Sequence, residues 1–199
     1  MALPAGVSKD SIRAVYETLA GGLTWLVGGS LVSSTNPMPV MSASGVTASA
    51  TFTPAAAAYG AADLMDVAKE MSFTYANGVA VPASSLIRIL SAVTKIDITS
   101  VPSGQTSYTL QMYSVTPPSA QADNAAWTLA SGDLSAYRGS LALGAPADLG
   151  GALYVKSSGL NADINLGPAL TSIYAQLITD GAHTATAVAR TVILYGIVL

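Results

Sequence analysis

The last nine residues of the chain, TVILYGIVL at positions 191–199, carry no charge and consist mainly of β-branched and aromatic residues. Such residues favour strands. Nothing in this run would protect an exposed strand edge from pairing with another chain. The sequence therefore predicts that the last strand lies in the centre of a sheet or pairs with a second chain. Its candidate interface residues are Ile193, Tyr195 and Ile197.

Further strand candidates precede it, separated by turns rich in Gly, Pro and Asn. Leu86–Ile98 is apolar on both faces through Leu90, which predicts a central strand covered on both sides. Asn77–Gly78 is a strong hairpin signal. The other candidates are residues 46–53, 108–113, 139–143, 152–156, 172–179 and 187–199. Strands spaced by about 8 to 15 residues predict a mainly β protein, with an antiparallel β-sandwich or jelly-roll-like domain over residues 46–199.

Residues 1–45 have a different pattern. Ser8 is a candidate N-cap, and a stripe from Ile12 to Leu19 at helical spacing predicts a short helix that Gly21 ends. The segment that follows has no stable period, which indicates an extended N-terminal arm. This arm either folds over its own domain or lies on a neighbouring subunit. Its candidate interface residues are Ile12, Tyr16, Leu23, Trp25, Leu26 and Val27.

The composition leaves few groups for chemistry. The 199 residues include 8 Lys and Arg, 11 Asp and Glu, one His and no Cys. Without Cys there is no thiolate nucleophile and no cysteine zinc site. A Ser/His/Asp triad would depend on His183, which follows the Asp180–Gly181 turn and is predicted to lie in an exposed loop. The sequence therefore predicts a non-enzymatic protein with no catalytic residue, no cofactor and no metal site.

Two groups of carboxylates are candidate sites. Asp133 and Asp180 could act as an acid and base, but each occupies a Gly-containing turn, where Asp favours local hydrogen bonds. Asp63, Asp66 and Glu70 could share the face of a helix over residues 61–71, which would be a solvated face sooner than a cation site. A turn and a short strand over residues 60–67 is an equal alternative to that helix.

Charge and hydropathy limit the partners. The net charge is −3 and the basic residues are scattered, which argues against nucleic-acid binding. The mean hydropathy is +0.49, yet the apolar part of the charge-free run 18–62, Leu23–Val32, is about half of the roughly 20 residues that a membrane span needs. No membrane insertion is expected, and synthesis is expected in the cytoplasm. Such a hydropathy instead predicts apolar surface that meets a partner or a second copy.

Several stretches resemble small structural proteins of tailed bacteriophages. They are VPSG at 101–104, YTLQMYSVTPPSAQADN at 108–124, SGD at 131–133, Tyr137, Gly139, DLG at 148–150, LYV at 153–155 and LITDGA at 177–182. The resemblance covers residues 84–199, is weaker over 46–83, and does not extend to 1–45.

The resemblance implies a virion protein that decorates and stabilises a capsid. The implied partners are the major capsid protein and further copies of the chain, as a homotrimer, and the implied location is the capsid surface. The alternative is a head-fibre or tail component whose β-sandwich binds a host surface or a carbohydrate. That alternative needs exposed aromatic side chains on one face, for which the candidates are Tyr108, Tyr113, Tyr137 and Tyr154. Trp127 is either a core residue or an interface anchor.

Overall fold

The computed structural model describes residues 26–27, 30–31 and 45–199. The chain divides into two compact units, residues 1–42 and 43–199. In the first unit, β1 (Leu26–Val27) pairs antiparallel with β2 (Ser30–Leu31). The predicted short helix, and the candidate interface residues Ile12, Tyr16, Leu23 and Trp25, lie outside the described residues.

The second unit is mainly β, as predicted. Its strands are β3 (Gly45–Phe52), β4 (Ala58–Tyr59), β5 (Lys69–Ser72), β6 (Thr74–Tyr75), β7 (Leu86–Ile96), β8 (Tyr108–Tyr113), β9 (Tyr137–Leu143), β10 (Ala147–Asp148), β11 (Leu153–Asn165), β12 (Ser172–Thr179), β13 (His183–Thr184) and β14 (Arg190–Val198). One 3₁₀ helix, Ser131–Asp133, interrupts them. Every pairing between these strands is antiparallel, which confirms the predicted antiparallel character.

The strands form two large sheets. The six-stranded sheet has the order β10-β11-β7-β14-β3-β6, and the four-stranded sheet has the order β5-β12-β8-β9. A separate short pair joins β13 to β4. Within the six-stranded sheet, β14 pairs with β7 on one side and with β3 on the other. The prediction that the last strand is central is therefore confirmed.

One hydrophobic cluster contains inward-facing residues of both large sheets. β3 alternates strictly between exposed and buried positions, because Val46, Ala48, Ala50 and Phe52 point inward while Ser and Thr point outward. Further members come from β7, β14, β8 and β12, and they include Ile87, Ile89, Val192, Leu194, Leu110, Met112, Ile173 and Leu177. Full burial of a large apolar side chain stabilises the fold by about 1.5–3 kcal/mol.

Several strand and helix boundaries of this unit differ from the expectations. Of the two alternatives for residues 60–71, the helix is wrong and the turn with extended residues is closer, because Asp63 and Leu64 follow a turn and make isolated β-bridges, and β5 begins at Lys69. β11 is 13 residues long, far beyond the predicted 152–156, because its small polar second half pairs with β7 across a bulge between Ser158 and Ala162. β7 is central, as predicted, between β11 and β14, but it is not covered along its whole outward face, because Leu90 is 37 % exposed.

The Asn77–Gly78 turn is confirmed. Gly78 has a φ of +79°, which a residue with a side chain rarely adopts, and its N–H donates to the carbonyl of Tyr75 at 2.9 Å. The strand on its N-terminal side, β6, has two residues. The hairpin is therefore much shorter than a typical one, with a single bridge from Thr74 to Ala80 beyond the turn.

Candidate interaction surface

The outward face of β14 carries the three interface residues predicted for this strand. Val192 and Leu194 are fully buried in the core. Because successive side chains of a strand alternate between faces, Ile193, Tyr195 and Ile197 point to the opposite side. Tyr195 is 39 % exposed, and the two isoleucines are partly buried. An antiparallel sheet normally carries polar residues on its open face, so this strand departs from the usual pattern.

The neighbouring strand β7 extends this apolar area. Ile193 lies opposite Val93, and Tyr195 lies opposite Ser91. Between the pair Tyr195–Ser91 and the pair Gly196–Ile89, β7 has one extra residue, Leu90. This residue forms a β-bulge and is 37 % exposed. We call the outward residues Leu90, Val93, Ile193, Tyr195 and Ile197 the apolar strip, in which Val93 is only 6 % exposed.

The two flanks of the apolar strip differ in charge. On one side, β3 presents Gly45, Thr47, Ser49 and Thr51, which are all exposed and uncharged. On the other side lie the charged residues of β7 and β11, namely Arg88, Lys95, Lys156 and Asp163. The surface is thus neutral on its β3 side and charged on its β11 side.

The Arg88–Asp163 pair neutralises part of that charge. The guanidinium donates twice to the carboxylate, from Nε to Oδ1 at 2.7 Å and from Nη2 to Oδ2 at 2.8 Å. These bonds raise the pKa of Arg88 and lower the pKa of Asp163, mainly because each charged form gains a hydrogen bond from its partner. Both groups are in water, so the pair orders the surface more than it stabilises the fold.

Of the nine predicted interface residues, the structure places three together on this surface. Leu26 and Val27 form β1, and their side chains lie outside the part of the chain that is described. Sequence reasoning missed Leu90. Its outward position depends on a β-bulge, which the local sequence pattern does not predict.

His183 does not lie in an exposed loop, contrary to the prediction. It is 5 % exposed, because β13 pairs with β4 and brings the imidazole against the ring of Tyr59 at a centroid distance of 6.2 Å. Its Nδ1 lies 3.2 Å from Thr179 Oγ1 and 3.0 Å from the carbonyl of Gly181. These contacts make His183 a packing residue.

The carboxylates of Asp133 and Asp180 were expected to form hydrogen bonds within their own turns. They bond instead to residues farther away in the sequence. Asp133 is buried and accepts hydrogen bonds from the backbone N–H and hydroxyl of Ser119. Asp180 accepts from the hydroxyls of Ser107 and Thr109 at 2.6 and 2.9 Å. Each carboxylate therefore holds a different part of the chain, and the structure gives no acid–base pair between them.

The four candidate tyrosines do not converge. Tyr108 is buried in the core and Tyr113 is buried on the opposite face of the same strand, while Tyr154 belongs to the other large sheet. Tyr137 packs edge-on against Tyr113 at 5.5 Å, and Trp127 Nε1 donates to Tyr113 Oη at 2.9 Å. Trp127 is therefore a partly buried packing residue, and this aromatic group is not an open platform.

Sequence reasoning also missed a buried cation, Arg190. Its side chain is fully buried and donates from Nη1 to the carbonyls of Thr186 and Val188. Within residues 45–199, its Nε and Nη2 have no hydrogen-bond partner. Burial raises the pKa of Tyr108, and the nearby positive charge of Arg190 works against that rise. The only local signal was an Arg at the start of an apolar strand.

Among the described residues, no cluster of three or more His, Cys, Asp or Glu side chains is arranged to hold a metal ion. The described part of the chain likewise contains no helix with the length and hydropathy to span a bilayer. No protein-family model matches the sequence, and no curated protein is significantly similar to it.

Proposed function

We propose that this chain is a non-enzymatic structural protein of a virion, which decorates a phage capsid and stabilises it through contacts with the major capsid protein and with its own copies. The observation that carries the proposal is the apolar strip, because it leaves Leu90 and Tyr195 partly in solvent on the two central strands of the six-stranded sheet. A surface of this kind is typical of a protein that works by contact. The phage-protein resemblance over residues 84–199 supplies the biological setting.

The architecture we propose for residues 46–199 is a β-sandwich of the jelly-roll type. Its support is the single hydrophobic cluster to which both large antiparallel sheets contribute. Small sandwiches of this kind offer broad faces, which suit a protein that sits on a lattice. The hydrogen-bonded carboxylates of Asp123, Asp133 and Asp180 tie the loops down in the way such a rigid module needs.

We assign the arm, residues 1–45, to attachment on the capsid or on a neighbouring subunit, with a homotrimer as the assembly. The support is the uncharged run between residues 18 and 62, which begins in the arm. An uncharged segment can be buried against a protein surface without desolvating a charge.

The direct test is binding of the purified full chain to capsids of its own virus that were assembled without it. Saturable co-sedimentation, and extra density at symmetric lattice positions in electron microscopy, are the expected results. Absence of binding at micromolar protein would contradict the proposal. Binding to glycans without capsid association would favour the head-fibre or tail alternative.

The role of the arm is tested in the full chain. Trp25→Ala should weaken capsid binding, because large aromatic residues supply much of the energy of an interface. Leu149→Ala is the matched control, since Leu149 is 67 % exposed in a loop of the other unit. Equal binding by the two variants would contradict the assignment of the arm.

A further inference from the structure

We propose that Asn77 is a site of spontaneous covalent modification, at which the side-chain amide is lost and part of the product carries its backbone through an isoaspartate. The site lies in the exposed turn that follows β6, at the edge of the six-stranded sheet. It shares no residue with the apolar strip, and its chemistry is independent of the partners of the chain.

Asparagine is a chemically labile residue, and the residue after it controls how fast it reacts. The backbone nitrogen of that next residue attacks the side-chain carbonyl carbon, and a neighbouring side chain shields this nitrogen. Of the five asparagines, Asn77 alone precedes a glycine. The other four precede Pro37, Ala125, Ala162 and Leu166. Because glycine has no Cβ, Gly78 offers the least hindered nitrogen and the backbone freedom to close a ring.

The turn also prepares the carbon that is attacked. Asn77 Oδ1 accepts the backbone N–H of Val79 at 3.1 Å. This hydrogen bond closes a ring of atoms that contains both the Gly78 nitrogen and Asn77 Cγ, which keeps the two close together. The same N–H stabilises the negative charge that Oδ1 gains when a nitrogen adds to Cγ. All three residues are exposed, so water and base reach the turn.

The attacking nitrogen has to leave a hydrogen bond before it reacts. Gly78 N–H donates to the carbonyl of Tyr75 at 2.9 Å, and Tyr75 N–H donates to the carbonyl of Val79 at 2.8 Å. These bonds belong to a hairpin whose strand β6 has two residues. Short, exposed pairings of this kind open at a small cost in free energy. The nitrogen is therefore available while the rest of the protein stays folded.

The reaction is a cyclisation followed by a hydrolysis. A solvent base removes the Gly78 N–H proton, the nitrogen bonds to Asn77 Cγ, and the bond from Cγ to Nδ2 breaks with release of ammonia. Water then opens the cyclic imide. Opening at Cγ gives aspartate with the normal backbone, and opening at the main-chain carbonyl carbon gives isoaspartate, whose backbone runs through Cβ and Cγ. In sum, water is consumed and ammonia is released, with no oxidation or reduction.

The two products should affect the sheet differently. Both add a negative charge to an exposed turn, but only isoaspartate inserts an extra backbone carbon before Gly78. That carbon moves the Gly78 N–H away from the carbonyl of Tyr75. Strand β6 pairs with the outer edge of β3 at Val46 and Thr47. Isoaspartate should therefore loosen β6 and open this part of the β3 edge to water.

The test incubates the folded full chain in mildly alkaline buffer at physiological temperature, followed by digestion at acidic pH and peptide mass spectrometry. The mass gain of an amide that becomes a carboxyl should accumulate at Asn77 while Asn161 stays intact. Asn161 is the internal control, because it is exposed and has a φ of +45°, yet precedes an alanine. An isoaspartyl methyltransferase, which methylates the free α-carboxylate, identifies the isoaspartate. Loss at Asn77 no faster than at Asn161 would overturn the inference.

Gly78→Ala tests the role of the unhindered nitrogen. A Cβ on Gly78 would meet nothing within 4 Å, although the φ of +79° adds strain. The variant should fold, which circular dichroism verifies, and should lose the Asn77 amide severalfold more slowly than the wild type. An equal rate would contradict the attack by this nitrogen. The comparison of Asn77 with Asn161 in the wild type decides the question even if the variant does not fold.

Asn77→Asp separates the added charge from the rerouted backbone. Amide hydrogen exchange at Val46 and Thr47 should be faster in the isolated isoaspartate form than in Asn77→Asp, which should exchange like the wild type. Equal exchange in all three would overturn the effect on the β3 edge. An Asn77 that reacts in urea but stays intact in the folded chain would show that the hairpin protects the site, and would overturn the proposal itself.

Discussion

The phenol of Tyr59 donates to the carboxylate of Asp123, with 2.8 Å from Tyr59 Oη to each carboxylate oxygen, although 64 residues separate the two in sequence. The same carboxylate accepts the backbone N–H of Ala55 at 2.9 Å. Asp123 thus ties the segment before β4 to the long loop after β8. In a chain with few charges, a carboxylate used in this way organises structure and is not free for chemistry.

Removing this carboxylate should destabilise the protein. Asp123→Ala leaves the hydroxyl of the buried Tyr59 without its acceptor, which costs about 1–3 kcal/mol of the free energy of unfolding. Tyr59→Phe removes the hydroxyl as well, so the double variant should lose about 1 kcal/mol less than the sum of the single losses. Urea denaturation gives all three values.

Asp148→Ala is the control, because Asp148 is exposed and accepts a hydrogen bond from the backbone N–H of Gly150 at the surface. A loss at Asp123 no larger than the loss at Asp148 would show that the bond is unimportant.

Alkaline pH should unfold the protein through its buried tyrosines. Burial is the main cause that raises the pKa of Tyr59, Tyr108 and Tyr113. An unfolded tyrosine ionises near pH 10, and the folded chain holds these three protons more tightly. Their contribution to stability is therefore complete below about pH 10 and is lost as the pH rises towards the folded pKa values.

Absorbance at 295 nm against pH measures this directly. Of the nine tyrosines, fewer than nine should ionise while the β signal in circular dichroism is intact, and the others should ionise as that signal is lost. If all nine ionised near pH 10 in folded protein, the three phenols would be accessible to water and the prediction would be wrong.

A strand could be predicted from the sequence where one local pattern of residues was enough to define it. Alternation in β3 placed its core residues, and the uncharged run 191–199 limited the last strand to a sheet centre or a pairing with a second chain, of which the structure shows the first. The predictions that failed concern residues whose structure depends on partners far away in the sequence. His183 is buried because β13 meets β4, and the second half of β11 is a strand because β7 pairs with it across a bulge. Alternation put Ile193, Tyr195 and Ile197 on one face, but a strand that is apolar on both sides does not indicate which face meets the core.

Gly196 should be intolerant of a side chain, whereas Gly45 should accept one. A Cβ on Gly196 would lie 2.5 Å from the carbonyl oxygen of Arg88 and 3.2 Å from Ile87 Cγ2, while a Cβ on Gly45 would meet nothing within 4 Å. Gly196 sits next to the Leu90 bulge, where β7 and β14 approach closely. Gly196→Ala should therefore cost about 1–3 kcal/mol in urea denaturation. Gly45→Ala, in the same sheet, should change stability by less than about 0.5 kcal/mol. Equal losses would contradict the close approach.

Arg190 should contribute to stability mainly by filling space. It is among the largest fully buried side chains, so Arg190→Ala should leave a cavity and release the two carbonyls that Nη1 binds, at a cost of about 2–5 kcal/mol. Arg190→Met keeps most of the volume and removes a desolvated charge, so its loss should be smaller than that of the alanine variant. Urea denaturation compares the two.

The alanine and methionine variants of Arg190 also differ from the wild type in tyrosine absorbance, which reports the effect of the Arg190 charge. Because Arg190 lowers the pKa of Tyr108 against the effect of burial, the methionine variant, which fills most of the space, should move the ionisation of that tyrosine to higher pH. A cavity alone would admit water and move it to lower pH. A methionine variant that is less stable than the alanine variant would contradict the space-filling role, and a Tyr108 that ionises at lower pH in the methionine variant would contradict the effect of the charge.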